Sequence, residues 1–501
     1  MDFGHQNIPS LAIFLFLFTV FSIFWRSKTK PSKLPPGPPK LPLIGNLHQL
    51  GSMPHHGLAK LSHQYGPLMH IKLGSLSTIV VSSPEMAKEV MKTHDIIFAN
   101  RPYLLAVDVI SYGTKGISFS PYGSYWRQMR KICTFELLTS KRVESFQSIR
   151  EEEASNLVKE IGLSEGSSIN LSKMINSCSY GLTSRVAFGG KSKDQEAFIA
   201  VMKDVLKVVS GFSLVDMYPI RGFEVLTGFR SKVEKLHQEV DRILEKIVRD
   251  HRETSSETKE NIEKTGEDLV DVLLKLQKQN NLEHPLSDNV IKATILDIFS
   301  AGSGTSAKTL EWAMSELVKN PKIMEKAQAE VRRVYGEKGH VEEANLHDLK
   351  YLKSVIKETL RLHIPVPFLL PRECSERCEI SGYEIPAKTK VIINGWAIGR
   401  DPNYWVEAEK FCPERFLDSS VDYKGADFQF IPFGAGRRMC PGSAFGTANV
   451  ELFLANLLFH FDWKMLNGDK PEELDMTESF GLSVRRKHDL YLIPSMYLSA
   501  N

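Results

Sequence analysis

The chain has 501 residues, 42% hydrophobic and 25% charged, an ordinary globular composition. A net charge of +3, without a dense basic block or a basic–aromatic ladder, argues against a nucleic-acid partner. Six cysteines, Cys133, Cys178, Cys374, Cys378, Cys412 and Cys440, contain no CxxC pair, which argues against a disulfide framework and a zinc ribbon.

In chain order, the first predicted element is apolar. "IPSLAIFLFLFTVFSIFW", residues 8–25, carries no charge and is just long enough to span a bilayer core. Arg26, Lys28 and Lys30 follow it, and positive charge on that flank predicts an uncleaved single-pass anchor with the body in the cytosol. The expected organisation is an anchor and basic flank over 1–30, a proline-rich strap over 31–46 and a catalytic domain over 47–501. "KLPPGPPKLPLIGN" within the strap is stiff and extended, since proline fixes φ and removes donors. The strap would set the angle of the body to the membrane, or serve as a plain linker.

"LMHIKLGSLSTIVVSS" (68–83) alternates like a hairpin turning at Gly74 and Ser75. Helical spacing then dominates, over 125–138 and 229–253. The charged stretch 256–268 reads as an exposed loop, and Asn170 begins a glycosylation sequon that a cytosolic domain leaves unused. Residues 288–320 form a long helix candidate that Ser287 can cap and Pro321 follows. "TKVIINGWAI" (389–398) reads as a strand. The class is mainly α with small β-sheets near the two ends.

Inside the long helix, "SAGSGTSA" (300–307) places Gly302 and Gly304 where each costs about 1 kcal/mol relative to alanine. The pattern also fits a dinucleotide fingerprint, but no second strand follows, and the fingerprint needs one. The other reading is a thinned groove that lets something approach the backbone, with the Thr305 hydroxyl available to bond it.

The most informative stretch is "FQFIPFGAGRRMCPGSAFG" (428–446). Cys440 lies among Gly434, Gly436 and Gly442, just before an apolar helix, with Arg437 and Arg438 beside it. Backbone N–H groups, a helix N-terminus and cations all favour a thiolate. Such a thiolate either attacks a substrate or holds a metal. A nucleophile needs a base, and no histidine lies near in sequence; an iron ligand needs only donors to its sulfur and a dry wall, which Phe433 can form.

Phe433, Gly436, Arg438, Cys440 and Gly442, read as FxxGxRxCxG, resemble the haem-binding signature of the cytochrome P-450 monooxygenases. Trp126 and Arg130 resemble the family's WxxxR helix, Glu358 and Arg361 its ExxR motif, and Arg415 in "FCPERF" the segment that completes that ion-pair network. Residues 302–305 fall where the family places its oxygen-binding helix. The resemblance covers essentially the whole chain, and its wording is similar to the plant microsomal group of specialised metabolism.

The resemblance implies the cytochrome P-450 fold with an N-terminal transmembrane helix, in the endoplasmic reticulum membrane with the catalytic domain cytosolic. It implies haem b, iron protoporphyrin IX, on Cys440. Trp126, Arg130, Arg372 and Arg438 would hold its propionates, Arg101 would join them, and Phe433 would line the sulfur side. Glu358, Arg361 and Arg415 would be buried and structural. Ala301, Val366, Phe368 and Phe480 would line the substrate pocket. Thr305 would organise proton delivery, beside Gly304 where the family usually has an acid. Asp297 is too far along the helix axis, about 10 Å at 1.5 Å per residue, to replace that acid.

The implied activity is monooxygenation of an apolar plant secondary metabolite, with a terpenoid-like skeleton favoured. It would use O2 and electrons from NADPH–cytochrome reductase, docking by way of Arg127, Lys131 and Arg437. A haem-thiolate isomerase or dehydratase that does not use O2 is the alternative, because some relatives with altered oxygen helices do such chemistry.

Overall fold

The structure, a computed structural model, describes residues 33–190, 195–209, 213–257, 267–468 and 470–497. The alternating "LMHIKL" and the β-branched "STIVV" form the hairpin the sequence predicts. Strand β1 (Leu68–Leu73) and strand β2 (Leu76–Val81) turn at Gly74 and Ser75, pairing Leu68 with Val81 and Leu73 with Leu76. With β3 (Arg372–Glu373) and β4 (Lys390–Ile393) they make a four-stranded sheet in the order β1-β2-β4-β3, in which β2 and β4 run parallel.

The strap lies along this sheet. His70 N–H donates to the Pro36 carbonyl at 2.8 Å and Glu384 N–H to the Lys33 carbonyl at 2.8 Å. A Cβ on Gly37 would stand 1.9 Å from the His70 carbonyl oxygen, so glycine is what permits the close approach.

Six helices position the site: α1 (Ser124–Ile132), α2 (Leu171–Phe188), α3 (Phe229–Glu257), α4 (Asp288–Lys319), α5 (Lys350–Leu362) and α6 (Ser443–His460). Helix α4 has 32 residues, about 48 Å at 1.5 Å per residue. It is apolar on most of its circumference, with Ile291, Phe299, Leu310, Ala313 and Leu317 buried, as a helix through the middle of a core must be. It packs against α2, α5 and α6.

Several local expectations need adjustment. Ser287 has extended backbone at the start of α4, but its side chain makes no capping hydrogen bond. The strand expected to run to 398 stops at Ile393, because the Asn394 side chain accepts from Ala397 N–H at 3.2 Å and caps a helical turn, Gly395–Ile398. Helix α1 ends at Ile132 and passes into a π-turn, Cys133–Leu137.

The expected transmembrane helix is corrected. Among the described residues no helix is long and apolar enough to cross a membrane. The two longest show why: α3 is charged along its length, and α4 carries Lys292, Asp297, Lys308, Glu311 and Glu316. The span read from residues 8–25 lies outside the described residues. The membrane partner, the single-pass topology and the endoplasmic reticulum assignment depended on that span, and they are not carried forward.

Candidate functional site

The main cavity, about 360 Å³, lies between α4, α1, the segment before α1 and the loop that enters α6. It has room for roughly 12 water molecules at about 30 Å³ each. Cys440, Trp126, Arg130, Arg372, Arg438, Phe433, Arg101, Ala301, Gly304, Thr305 and Val366 all line it. Residues more than 300 positions apart in sequence thus meet at one chamber.

The cysteine loop owes its shape to tight local geometry. Gly436 has φ +69°, and a Cβ there would stand 2.1 Å from the Met91 carbonyl oxygen. That conformation and that approach both require glycine. Cys440 N–H donates to the Phe433 carbonyl at 2.9 Å, and Gly442 is the N-cap of α6. Burial pushes the Cys440 thiol up, while the Gly442 backbone hydrogen bond and the Arg130 charge pull the other way.

Four guanidiniums line the same cavity as the sulfur. Arg438 donates to the carbonyls of Ala99 at 2.8 Å, Ile117 at 3.2 Å and Ser120 at 2.6 Å, and its guanidinium lies 4.3 Å from the Trp126 ring centre. Trp126 Nε1–H donates to the Ile117 carbonyl at 3.1 Å. Arg101 donates to the carbonyls of Ser118, Leu370 and Pro371. Arg130 donates to the Met439 carbonyl, and Arg372 to the Ala435 carbonyl and to Asp95 at 3.3 Å.

Among the described residues, Asp95 is the one carboxylate paired with any of these four. Burial pushes Arg438 down to about 9, helped by the like charges of Arg372 and Arg130. Arg101 is lowered by burial and then by Arg438 and Arg372. A buried cation cluster of this kind calls for a dianion. A flat apolar molecule with two carboxylates and a metal for the sulfur answers the whole donor set, so the residues present fit a haem.

Glu358, Arg361 and Arg415 meet in a separate buried network. Glu358 accepts from Arg361 Nε at 2.7 Å, from Arg415 Nε at 2.9 Å and from Cys412 N–H at 2.8 Å. Arg361 also donates to the carbonyls of Gly399 and Ala408, and both Glu358 and Arg361 side chains are fully buried. The network braces α5 against the stretch before the cysteine loop.

On α4 the picture is looser. Thr305 Oγ1–H donates to the Ala301 carbonyl at 2.6 Å, leaving its oxygen free to accept but its proton engaged. The helix runs unbroken through residues 300–307, which removes the dinucleotide reading. A Cβ on Gly302 would make ordinary 3.7 Å contacts with Phe445 and Thr183, and one on Gly304 would stand 3.6 Å from Lys308 Nζ and 3.7 Å from Tyr180 OH. The missing side chains thus face α6, α2 and Lys308, and no tight approach requires either glycine. Asp297 also lines the cavity; it accepts from Ser118 N–H at 2.9 Å, and burial raises its carboxyl to about 6.

Phe368 and Phe480 do not line this chamber. They line a neighbouring cavity of about 50 Å³ and contact the buried His55, sharing the wall residues Leu369 and Leu482 with the main one. Ser483, in the stretch "SFGLS" (479–483) that the resemblance places at the pocket, lines the main cavity, and so does Lys308, which the sequence reading overlooked. The available signal was a lysine one turn after Gly304, on a helix whose neighbouring residues are mostly buried.

A family model described as cytochrome P450 matches residues 35–492. The chain is 53% identical over 499 residues to a desmethyl-deoxy-podophyllotoxin synthase of Sinopodophyllum hexandrum, covering 99% of this chain and 98% of that one. It is 51% identical over 509 residues to a tabersonine 16-hydroxylase of Catharanthus roseus, covering 98% and 100%. A solved zebra fish cytochrome P450, in a structure with progesterone, matches with a TM-score of 0.76 at 26% identity, over 89% of this chain and 99% of that chain.

Proposed function

Because the chain belongs to the cytochrome P450 family, and is on that ground a haem-dependent oxidoreductase acting on an apolar plant metabolite, we propose that it inserts oxygen into a terpenoid-like skeleton using O2 and electrons from NADPH–cytochrome reductase. The observation that carries this reading is the meeting of Cys440 with four arginines, two of them buried, in one cavity under α4. A relative named as a hydroxylase supports the reaction class.

The cofactor we infer is haem b. Cys440 would supply the axial sulfur. Arg130, Arg372, Arg438 and Trp126, with Arg101, would hold the two carboxylates, and Phe433 would shield the sulfur from water. Thiolate ligation of the iron supplies the electron density that favours O–O cleavage. Around that group the chain orients and excludes. Val366, Ala301, Val107, Ile110 and Leu296 make an apolar wall that selects an apolar skeleton and keeps water out. The Thr305 hydroxyl donates to the Ala301 carbonyl, so its oxygen would accept a hydrogen bond and hold a proton donor at that point of α4. Residues 47–501 form the catalytic unit.

Arg127, Lys131 and Arg437 are exposed, and we assign the reductase contact to them, since charge complementarity mainly sets on-rate.

The test is incubation of the holoenzyme with reductase, NADPH and a panel of terpenoids, alkaloids and phenolics, following product, O2 and NADPH together. Product formed in proportion to O2 and NADPH supports the reading. Product formed without O2 or reductase replaces it with the isomerase or dehydratase alternative.

A further inference from the structure

Lys308 is one helical turn beyond Gly304 on α4, and its side chain lines the main cavity. Of the three N–H donors an ammonium carries, the hydrogen bond it makes among the described residues goes to Ser483 Oγ, on the loop opposite. Among the described residues it forms no ion pair. The nearest acid along the helix, Glu311, is engaged elsewhere: it accepts from the Ser172 hydroxyl and lies close to Arg486. Position 304, from which an acidic side chain would reach Lys308, is a glycine whose Cβ would stand 3.6 Å from Nζ. Burial, and then the like charge of Arg485, lower this amine to about 8, against the opposing pull of Glu311. A half-buried ammonium that gives one donor to Ser483, in a cavity walled by Ala301, Val366 and Leu482, has donors left for a further acceptor.

We propose that Lys308 and Ser483 form an anchor for an acceptor oxygen, a carbonyl or a carboxylate, on the otherwise apolar substrate in the main cavity. The proposal deepens the functional reading above and rests on it, since it takes the same chamber as the substrate site. It also gives Gly304 a role: an acid there would neutralise Lys308 and occupy the place of the substrate oxygen. The anchor makes the substrate a skeleton that already carries an acceptor oxygen.

The experiment uses three probes that share one skeleton: the hydrocarbon abietadiene, methyl abietate with a neutral carbonyl, and abietic acid with a carboxylate. Equilibrium dialysis of the holoenzyme measures their affinities without relying on turnover. A hydrogen bond to a charged donor predicts that the better oxygenated probe binds at least tenfold more tightly than the hydrocarbon. Preference for ester and acid alike marks a neutral acceptor, and preference for the acid alone marks an anion; either supports the anchor. Lys308→Met should bring the ratio to within threefold, Ser483→Ala should reduce it, and Gly304→Glu should abolish the preference for the acid. Should Lys308→Met fail to fold with haem, the other two variants decide. Equal affinity for all three probes in the native protein, or a tenfold preference that survives Lys308→Met, overturns the anchor. The carbon monoxide difference spectrum of the same samples is read separately: its loss from the native protein would sink the haem-thiolate reading, whatever the dialysis ratio.

Discussion

On the cavity wall that carries Cys440, the guanidiniums of Arg101, Arg372 and Arg438 are tied to backbone carbonyls, and Gly436 sits where no other residue fits. On the α4 wall, Thr305 bonds back to its own helix, Gly302 and Gly304 have room for a methyl group, and Lys308 meets a single serine. The first wall is over-determined by its neighbours, as holding a fixed charged group demands. The second leaves side chains and donors open, as a surface that must suit one particular small molecule demands. The division of labour is physical: rigidity where the cofactor would be held, exchangeable chemistry where the substrate would be chosen.

The largest expected contrast is in stability. Glu358→Gln leaves the fully buried Arg361 without its counter-charge and weakens its tie to Arg415, at a cost of about 3–5 kcal/mol. Thr305→Ala on the other wall loses one hydrogen bond within its own helix and should cost less than about 1 kcal/mol. Urea unfolding of the two variants checks this. Equal costs would remove the distinction between the walls.

Next come the glycines. Gly436→Ala must take up a positive φ and displace the Met91 carbonyl, so it should cost at least about 2 kcal/mol and lower haem content. Gly302→Ala meets ordinary contacts and should gain up to about 1 kcal/mol from helix propensity. Thermal unfolding of both reads the sign directly, and a stabilised Gly436→Ala would contradict the local geometry.

The third effect is pH-dependent and belongs to α4. Burial raises Asp297 to about 6, above the roughly 3.9 of an unfolded aspartate. The native state therefore holds the proton more tightly than the unfolded state. Its contribution to stability is fully present below about pH 4 and is lost as pH rises through about 6. The loss amounts to about 2–3 kcal/mol. Asp297→Asn keeps an acceptor for Ser118 N–H and should flatten the stability curve between those limits. An unchanged slope would show that Asp297 is not the group responsible.

What the sequence revealed divides along the same line as the walls. Cys440, Gly436 and the pair Glu358–Arg361 lie in short local patterns whose spacing carries their meaning, and the structure brings each group together. The hairpin was legible because alternation and a glycine–serine turn are local too. Phe368 and Phe480 were harder, since which of two adjoining cavities a side chain enters depends on packing against His55, far away in the chain. The two α4 glycines pointed to a tight approach, but helix periodicity alone does not say that their missing side chains face Tyr180, Lys308, Thr183 and Phe445. Lys308 was passed over because its partner, Ser483, lies 175 positions away. Asn394 ended a strand that hydropathy extended, through a side-chain cap that competes with the ladder.

The central claim is that Cys440 ligates a haem iron in the arginine-lined cavity. It is tested most directly by the reduced carbon monoxide difference spectrum of Cys440→Ser beside the native protein. The account predicts a thiolate-type band in the native protein and its complete loss in the variant. A variant that keeps that band would contradict the account and move the ligand to another residue.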